Sequence, residues 1–147
     1  IPDFYCIRLH EYAVMLALTT DGQLVVERQY RHGSGTIDLV LPAGDLEPGE
    51  DGLLAAQREL LEETGYACEE WRFLGSLVVD DNRGCGWAHY FLGASARRAE
   101  APHLDASEGI EVVLMRPGAL LKAIRSGASR PVPTIAGIGL AYSYGVV

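Results

Sequence analysis

Residues 44–66 constrain this chain more than any other stretch; they read GDLEPGEDGLLAAQRELLEETGY. From 51 to 63 there is no proline and one early glycine, and Leu, Ala, Gln, Arg and Glu, all good helix formers, fill the rest. The spacing predicts a helix over 51–63 that Gly65 stops. Glu59, Glu62 and Glu63 fall at i, i+3 and i+4, so one face carries three carboxylates within a turn. A glutamate-rich face is ordinarily solvated surface. Carboxylates this dense repel one another unless something cationic neutralises them, and their oxygens suit a hard ion such as Mg²⁺ or Mn²⁺.

The whole stretch fits one pattern: a glycine, five residues, Glu, seven residues, Arg-Glu, an aliphatic, any residue, Glu-Glu, any residue, Gly and an apolar residue. Gly44, Glu50, Arg58, Glu59, Leu60, Glu62, Glu63, Gly65 and Tyr66 occupy its fixed positions. Matched at every fixed position, the stretch resembles the Nudix box. The resemblance implies an α/β fold, an αβα sandwich with a mixed β-sheet and a loop-helix-loop metal site, in one domain over 1–147. It further implies that Glu59, Glu62 and Glu63 face the metal together with the backbone carbonyl of Ala43, and that Glu62 and Glu63 serve catalysis. Glu50 and Arg58 would pair to keep the loop-helix-loop rigid, with Gly44 and Gly65 as its structural glycines. The implied cofactor is Mg²⁺, with Mn²⁺ a substitute.

A chain of 147 residues is long enough for one substantial core. Its net charge of −8 argues against a nonspecific nucleic-acid or anionic-membrane surface, whose footprint is basic. A phosphate-bearing small molecule remains compatible, since bound metal ions reverse the local sign of charge. Cys6, Cys68 and Cys85 are an odd count without a C-x-x-C pair, which points to free thiols and a reduced, cytoplasmic setting. No apolar run is long enough to span a bilayer. With nearly half the residues hydrophobic and apolar stretches at 14–18 and 135–141, a homodimer is expected.

Strands are expected at 4–9, 13–19, 24–30, 37–41, 71–79, 86–92 and 110–115, with a hairpin turn at Asp21-Gly22. Pro42 should end its strand as the metal loop begins. Residues 97–107 read as a polar loop, 117–126 as a helix opened by proline, and 131–144 as a last helix.

Two further segments resemble the ADP-ribose pyrophosphatase branch. Arg28-Gln29-Tyr30-Arg31, followed at a distance by Leu41-Pro42-Ala43-Gly44, implies that Arg28 or Arg31 binds substrate. Asp105 to Val112 is similar to an acidic loop before a late strand, with Glu108 at the position of the catalytic loop glutamate and Glu111 as runner-up. The implied reaction is hydrolysis of a nucleoside diphosphate linked to another group, ADP-ribose or a related nucleotide-sugar first. The chain departs from the branch where Asp80, Asp81 and Asn82 stand in a region that commonly carries a proline, and where its amino-terminal strands are short or missing. A dinucleoside polyphosphate substrate therefore stays open. A Nudix-like module that binds a nucleotide without cleaving it is the rival reading, although such a module needs no intact metal helix.

Overall fold

The computed structural model describes residues 3–104 and 109–146. Its central strand, β1 (Tyr12–Thr19), is buried on both faces, as its continuous apolar run requires. Ala13, Met15 and Ala17 pack on one side against Ala55, Ala56 and Leu60 of α1 (Gly52–Thr64). Val14 and Leu16 pack on the other with Leu120 of α2 (Pro117–Ser126) and Ile138 and Ala141 of α3 (Val132–Ser143). The sheet is thus sandwiched between helices.

Eight strands are described: β2 (Leu24–Arg31), β3 (Thr36–Val40), β4 (Ala43–Asp45), β5 (Tyr66–Ala67), β6 (Glu70–Val78), β7 (Trp87–Arg98) and β8 (Ile110–Met115) join β1. β1 runs parallel to β7, and the other pairs are antiparallel, so the sheet is mixed. The hairpin turn at Asp21-Gly22 forms, with Thr19 N–H donating to the Gln23 carbonyl at 2.9 Å. Beyond it β1 and β2 diverge: their register is recorded only at Leu18 and Leu24. The start of β1 instead pairs with β4, Tyr12 to Asp45 and Val14 to Ala43. β2 goes on with β3 and β8.

Several expectations need correction. Residues 4–9 form no strand: Phe4, Tyr5, Ile7 and Leu9 are exposed, and the segment touches the body through Ile7 N–H donating to the Arg83 carbonyl and the Leu9 carbonyl lying against Gly86. Alternating apolar residues make a strand only where an edge is free to receive them. The strand expected at 86–92 extends to Arg98, because Tyr66 and Ala67 leave the end of α1 and pair with Arg98 and Arg97. The polar loop therefore begins at 99 rather than 97. β4 was not foreseen; it follows Pro42 directly. No helix among the described residues is long and apolar enough to cross a membrane.

Candidate active site

Asp51 starts α1, its carboxylate accepting from the N–H groups of Leu53 at 2.9 Å and Leu54 at 3.4 Å. Gly65 ends it in the left-handed region at φ 72°, where the following chain passes so close that a β-carbon would lie 2.3 Å from the Glu100 carbonyl oxygen. Burying Ala55, Ala56 and Leu60 on the sheet fixes the rotation of the helix and so the direction of its glutamates.

Glu59 turns toward β4. Its carboxyl carbon occupies the space a side chain on Gly44 would take: a β-carbon there would sit 2.0 Å away. Glu63 is the most enclosed of the three, accepting from the Ala43 N–H at 3.3 Å and standing beside Glu27 of β2. Burial, then the charges of Glu27 and Glu59, push the Glu63 carboxyl far above the usual carboxylate range. Burial also raises Glu59, against the opposing pull of Arg58. Glu62 is half exposed, 48 % at its side chain.

Arg58 ties these parts together. Its guanidinium grips Glu50 with two bonds, Nε to Oε1 at 3.0 Å and Nη2 to Oε2 at 2.9 Å, and reaches the Asp45 carbonyl at 3.1 Å. Its Nη1 contacts Glu59 at 2.5 Å and Glu62 at 3.3 Å. Glu50 also accepts from Glu47 N–H, which closes the loop before the helix. The Arg58 hydrogen bonds hold the Glu50 carboxyl down at about 2.

Two cavities meet this structure. One, of about 580 Å³, is lined by Arg58, Glu59, Glu62 and Glu63 with Glu100 and His103. The segment after β7 is pinned here, Ala99 and Glu100 N–H donating to the Gly65 carbonyl and His103 N–H to the Glu62 carbonyl. The other, of about 470 Å³, lies where β1 and β2 diverge and is bounded by Tyr12, Glu27, Arg31, Ala43, Gly44 and Pro133, among others. Both volumes suit a small ligand.

The structure therefore brings Ala43, Gly44, Glu50, Arg58, Glu59, Glu62, Glu63 and Gly65 together, and brings Arg31 to the neighbouring cavity. Arg28 is not brought there. Side chains alternate along β2, so Glu27 and Arg31 share a face while Arg28 takes the other and pairs with Glu111 at 3.2 Å. Glu108 lies outside the described residues. Reading the sequence missed Glu27, Glu100 and His103. For Glu27 a signal existed, since it interrupts the apolar run of Leu24, Val25 and Val26.

Among the described residues no group of three His, Cys, Asp or Glu side chains converges as a ready cage for a metal ion. The donor set nevertheless fits a hard divalent cation, which takes few protein ligands and completes its shell with water and phosphate. Glu59 lies against Gly44 and Glu63 accepts from the Ala43 N–H, so two carboxylates flank the Ala43-Gly44 turn, and a cation held there would offset their negative charge.

The chain is 33% identical over 100 residues to the methanol dehydrogenase activator of Bacillus methanolicus, a match covering 67% of this chain and 54% of that protein. It is 30% identical over 113 residues to the ADP-ribose pyrophosphatase of Bacillus subtilis (strain 168), covering 76% and 61%. The chain thus spans less than two thirds of the length of these relatives. A solved structure described as that of an ADP compounds hydrolase superposes with a TM-score of 0.80 at 20% identity, over 94% of this chain and 76% of that one, a likeness of fold. Since the NUDIX domain profile matches residues 9–135, spanning β1 to the start of α3 with the glutamate helix between them, the chain belongs to the Nudix family.

Proposed function

We propose that this chain is a Mg²⁺-dependent pyrophosphohydrolase acting on a nucleoside diphosphate linked to another group, with ADP-ribose or a related nucleotide-sugar preferred. The observation that carries this reading is the shared Ala43-Gly44 turn. On one side it receives Glu59 and Glu63, and on the other it borders the cavity that holds Arg31. A substrate whose diphosphate lies at the carboxylates would place its remainder in that cavity.

Glu59, Glu63 and the Ala43 carbonyl, with Glu62 at the rim, would hold Mg²⁺ or Mn²⁺. The chemistry such a cation would supply there is to polarise the diphosphate and lower the pKa of a bound water. Arg58, braced on Glu50, keeps Glu59 in place and sets the spacing of the helix from its loop. Arg31 offers a planar fork of donors to a phosphate or ribose oxygen. Glu108 is assigned the positioning of the attacking water, whose oxygen displaces one phosphate from the other across the P–O–P bridge. The ADP-ribose pyrophosphatase of Bacillus subtilis among the relatives supports this choice of substrate.

A panel of nucleoside diphosphate derivatives with Mg²⁺, scored by products, tests the reading. AMP and ribose 5-phosphate from ADP-ribose as the dominant outcome would support it. Preference for dinucleoside polyphosphates would overturn the substrate while leaving the hydrolase, and no turnover of any member would favour a binding module.

A further inference from the structure

α3 is apolar on the side that faces away from the sheet as well as on the side that meets it. Thr134, Gly137, Ile138 and Ala141 are buried, while Val132, Ile135, Gly139 and Tyr142 are exposed. Those four stand at i, i+3, i+7 and i+10, the spacing of a single stripe along a helix. Val132 is 72 % exposed and Tyr142 57 %. A surface helix ordinarily turns charge toward solvent, yet residues 131–147 contain no Asp, Glu, Lys, Arg or His. The two glycines of the helix sharpen the contrast. A β-carbon on Gly137 would lie 2.7 Å from Leu41 Cδ1, so packing on the sheet asks for that glycine. Gly139 faces outward, and among the described residues no neighbouring atom lies within 4 Å of the place its β-carbon would take. Glycine weakens a helix relative to alanine, and nothing inside the fold requires it at 139. A second backbone passing close to the stripe would require it.

We propose that this stripe is the seam of a symmetric dimer, in which α3 of one copy packs antiparallel on α3 of a second copy and the two cross at Gly139. Charge selects a second copy as the occupant. With a net charge of −8, two copies repel over most of their surfaces, and a charge-free stripe is where they can approach. It offers no ion pair to a charged partner, and the acidity of the chain keeps it from an anionic membrane. The stripe also matches itself. About a two-fold axis at Gly139, Ile135 of each copy meets Tyr142 of the other, and the facing glycines let the backbones come close. α3 has 12 residues, roughly 18 Å, and a seam so short covers less than the roughly 800 Å² per partner of a standard interface, so the dimer is weak and concentration-dependent. Pro131, Pro133 and Thr134, at the start of the helix, line the cavity that holds Arg31, so the second copy stands beside the cavity wall. The inference is independent of the metal-dependent reading above.

The test is sedimentation equilibrium of the chain from low micromolar to near-millimolar concentration. The mass should rise from 15.9 kDa toward twice that value, and rise further in high salt, which screens the repulsion between copies. Ile135→Glu and Tyr142→Glu each set two acids against a symmetric contact and should weaken association at least about tenfold. Phe73→Glu, at an exposed aromatic of β6, should leave it within about twofold of the parent. A mass that stays at 15.9 kDa throughout overturns the proposal and leaves the stripe to another occupant. So does a dimer that survives both α3 variants, or one lost equally in Phe73→Glu. Should the α3 variants fail to fold, methyl resonances of the unmutated chain decide. Those of Val132 and Ile135 should shift with protein concentration while that of Ile37, exposed on β3, stays in place; unmoved Val132 and Ile135 refute the dimer.

Discussion

Replacing Glu63 with Gln should stabilise the metal-free chain while disabling it, and the size of the gain follows from the burial of that carboxyl. In the unfolded chain Glu63 has an ordinary value of 4.5 and is ionised at pH 7. In the fold, burial and the neighbouring Glu27 and Glu59 keep its proton on through neutrality. The folded state therefore binds more protons than the unfolded state, and stability must fall as pH rises above 4.5. Each pH unit removes about 1.4 kcal/mol, so taking up that proton at pH 7 costs about 3 kcal/mol. Gln avoids this cost and keeps an oxygen to accept from the Ala43 N–H, though its amide must also be buried. A net gain of about 2 kcal/mol, or roughly 4–8 °C in melting temperature for a chain of this size, is expected in EDTA at pH 7. Circular dichroism melts at pH 6, 7 and 8 check both the gain and its slope. The parent should lose stability across that range relative to the variant. A variant that melts below the parent at pH 8, with a parallel pH dependence, would refute the reasoning.

Other expectations follow from the same geometry. Gly44→Ala should shift the melting temperature by only a few degrees, because the added methyl meets a movable carboxylate, yet cut turnover by about a hundredfold by displacing Glu59; equal turnover would show that the close approach does not matter. Arg31→Lys should raise KM several-fold more than it lowers kcat, whereas Arg28→Lys, on the other face of β2, should change neither beyond error in steady-state kinetics. Arg58→Lys loses the two-bond grip on Glu50. With its folded value depressed to about 2, Glu50 contributes stability fully above its ordinary 4.5, and that contribution is lost as pH falls through 2. The acid-unfolding midpoint of Arg58→Lys, followed by fluorescence, should therefore move to higher pH than the parent's.

What could be read from the sequence was local. The helix over residues 51–63, its stop at Gly65 and the clustering of Glu59, Glu62 and Glu63 depend on spacing within one element, and the folded chain has α1 at Gly52–Thr64 with Asp51 as its cap. What escaped depends on partners distant in sequence. Residues 4–9 carry a strand-like pattern but meet no ladder, while Arg97 and Arg98 look like loop and become strand because Tyr66 and Ala67 arrive beside them. Choosing between Arg28 and Arg31 required knowing which face of β2 looks at the cavity. Glu27 was passed over because hydrophobic patterning treats a charge after Leu24, Val25 and Val26 as the end of a core segment, when it stands inside one.

The parting of β1 from β2 bears on how such a chain can change its ligand. The cavity there exists because two backbones diverge and a three-residue strand takes up the freed edge, so its volume is not borrowed from small side chains in the core. Positions around it that lie outside the core clusters, such as Arg31 and Pro133, can then be exchanged for bulkier or differently charged residues at little cost to the packing of the helices on the sheet. The glutamates, by contrast, hang from a helix whose orientation the core dictates. Under the proposed function, selectivity and chemistry sit on separately adjustable parts of one short polypeptide, and a library confined to the cavity wall should yield new binding preferences far more often than unfolded chains.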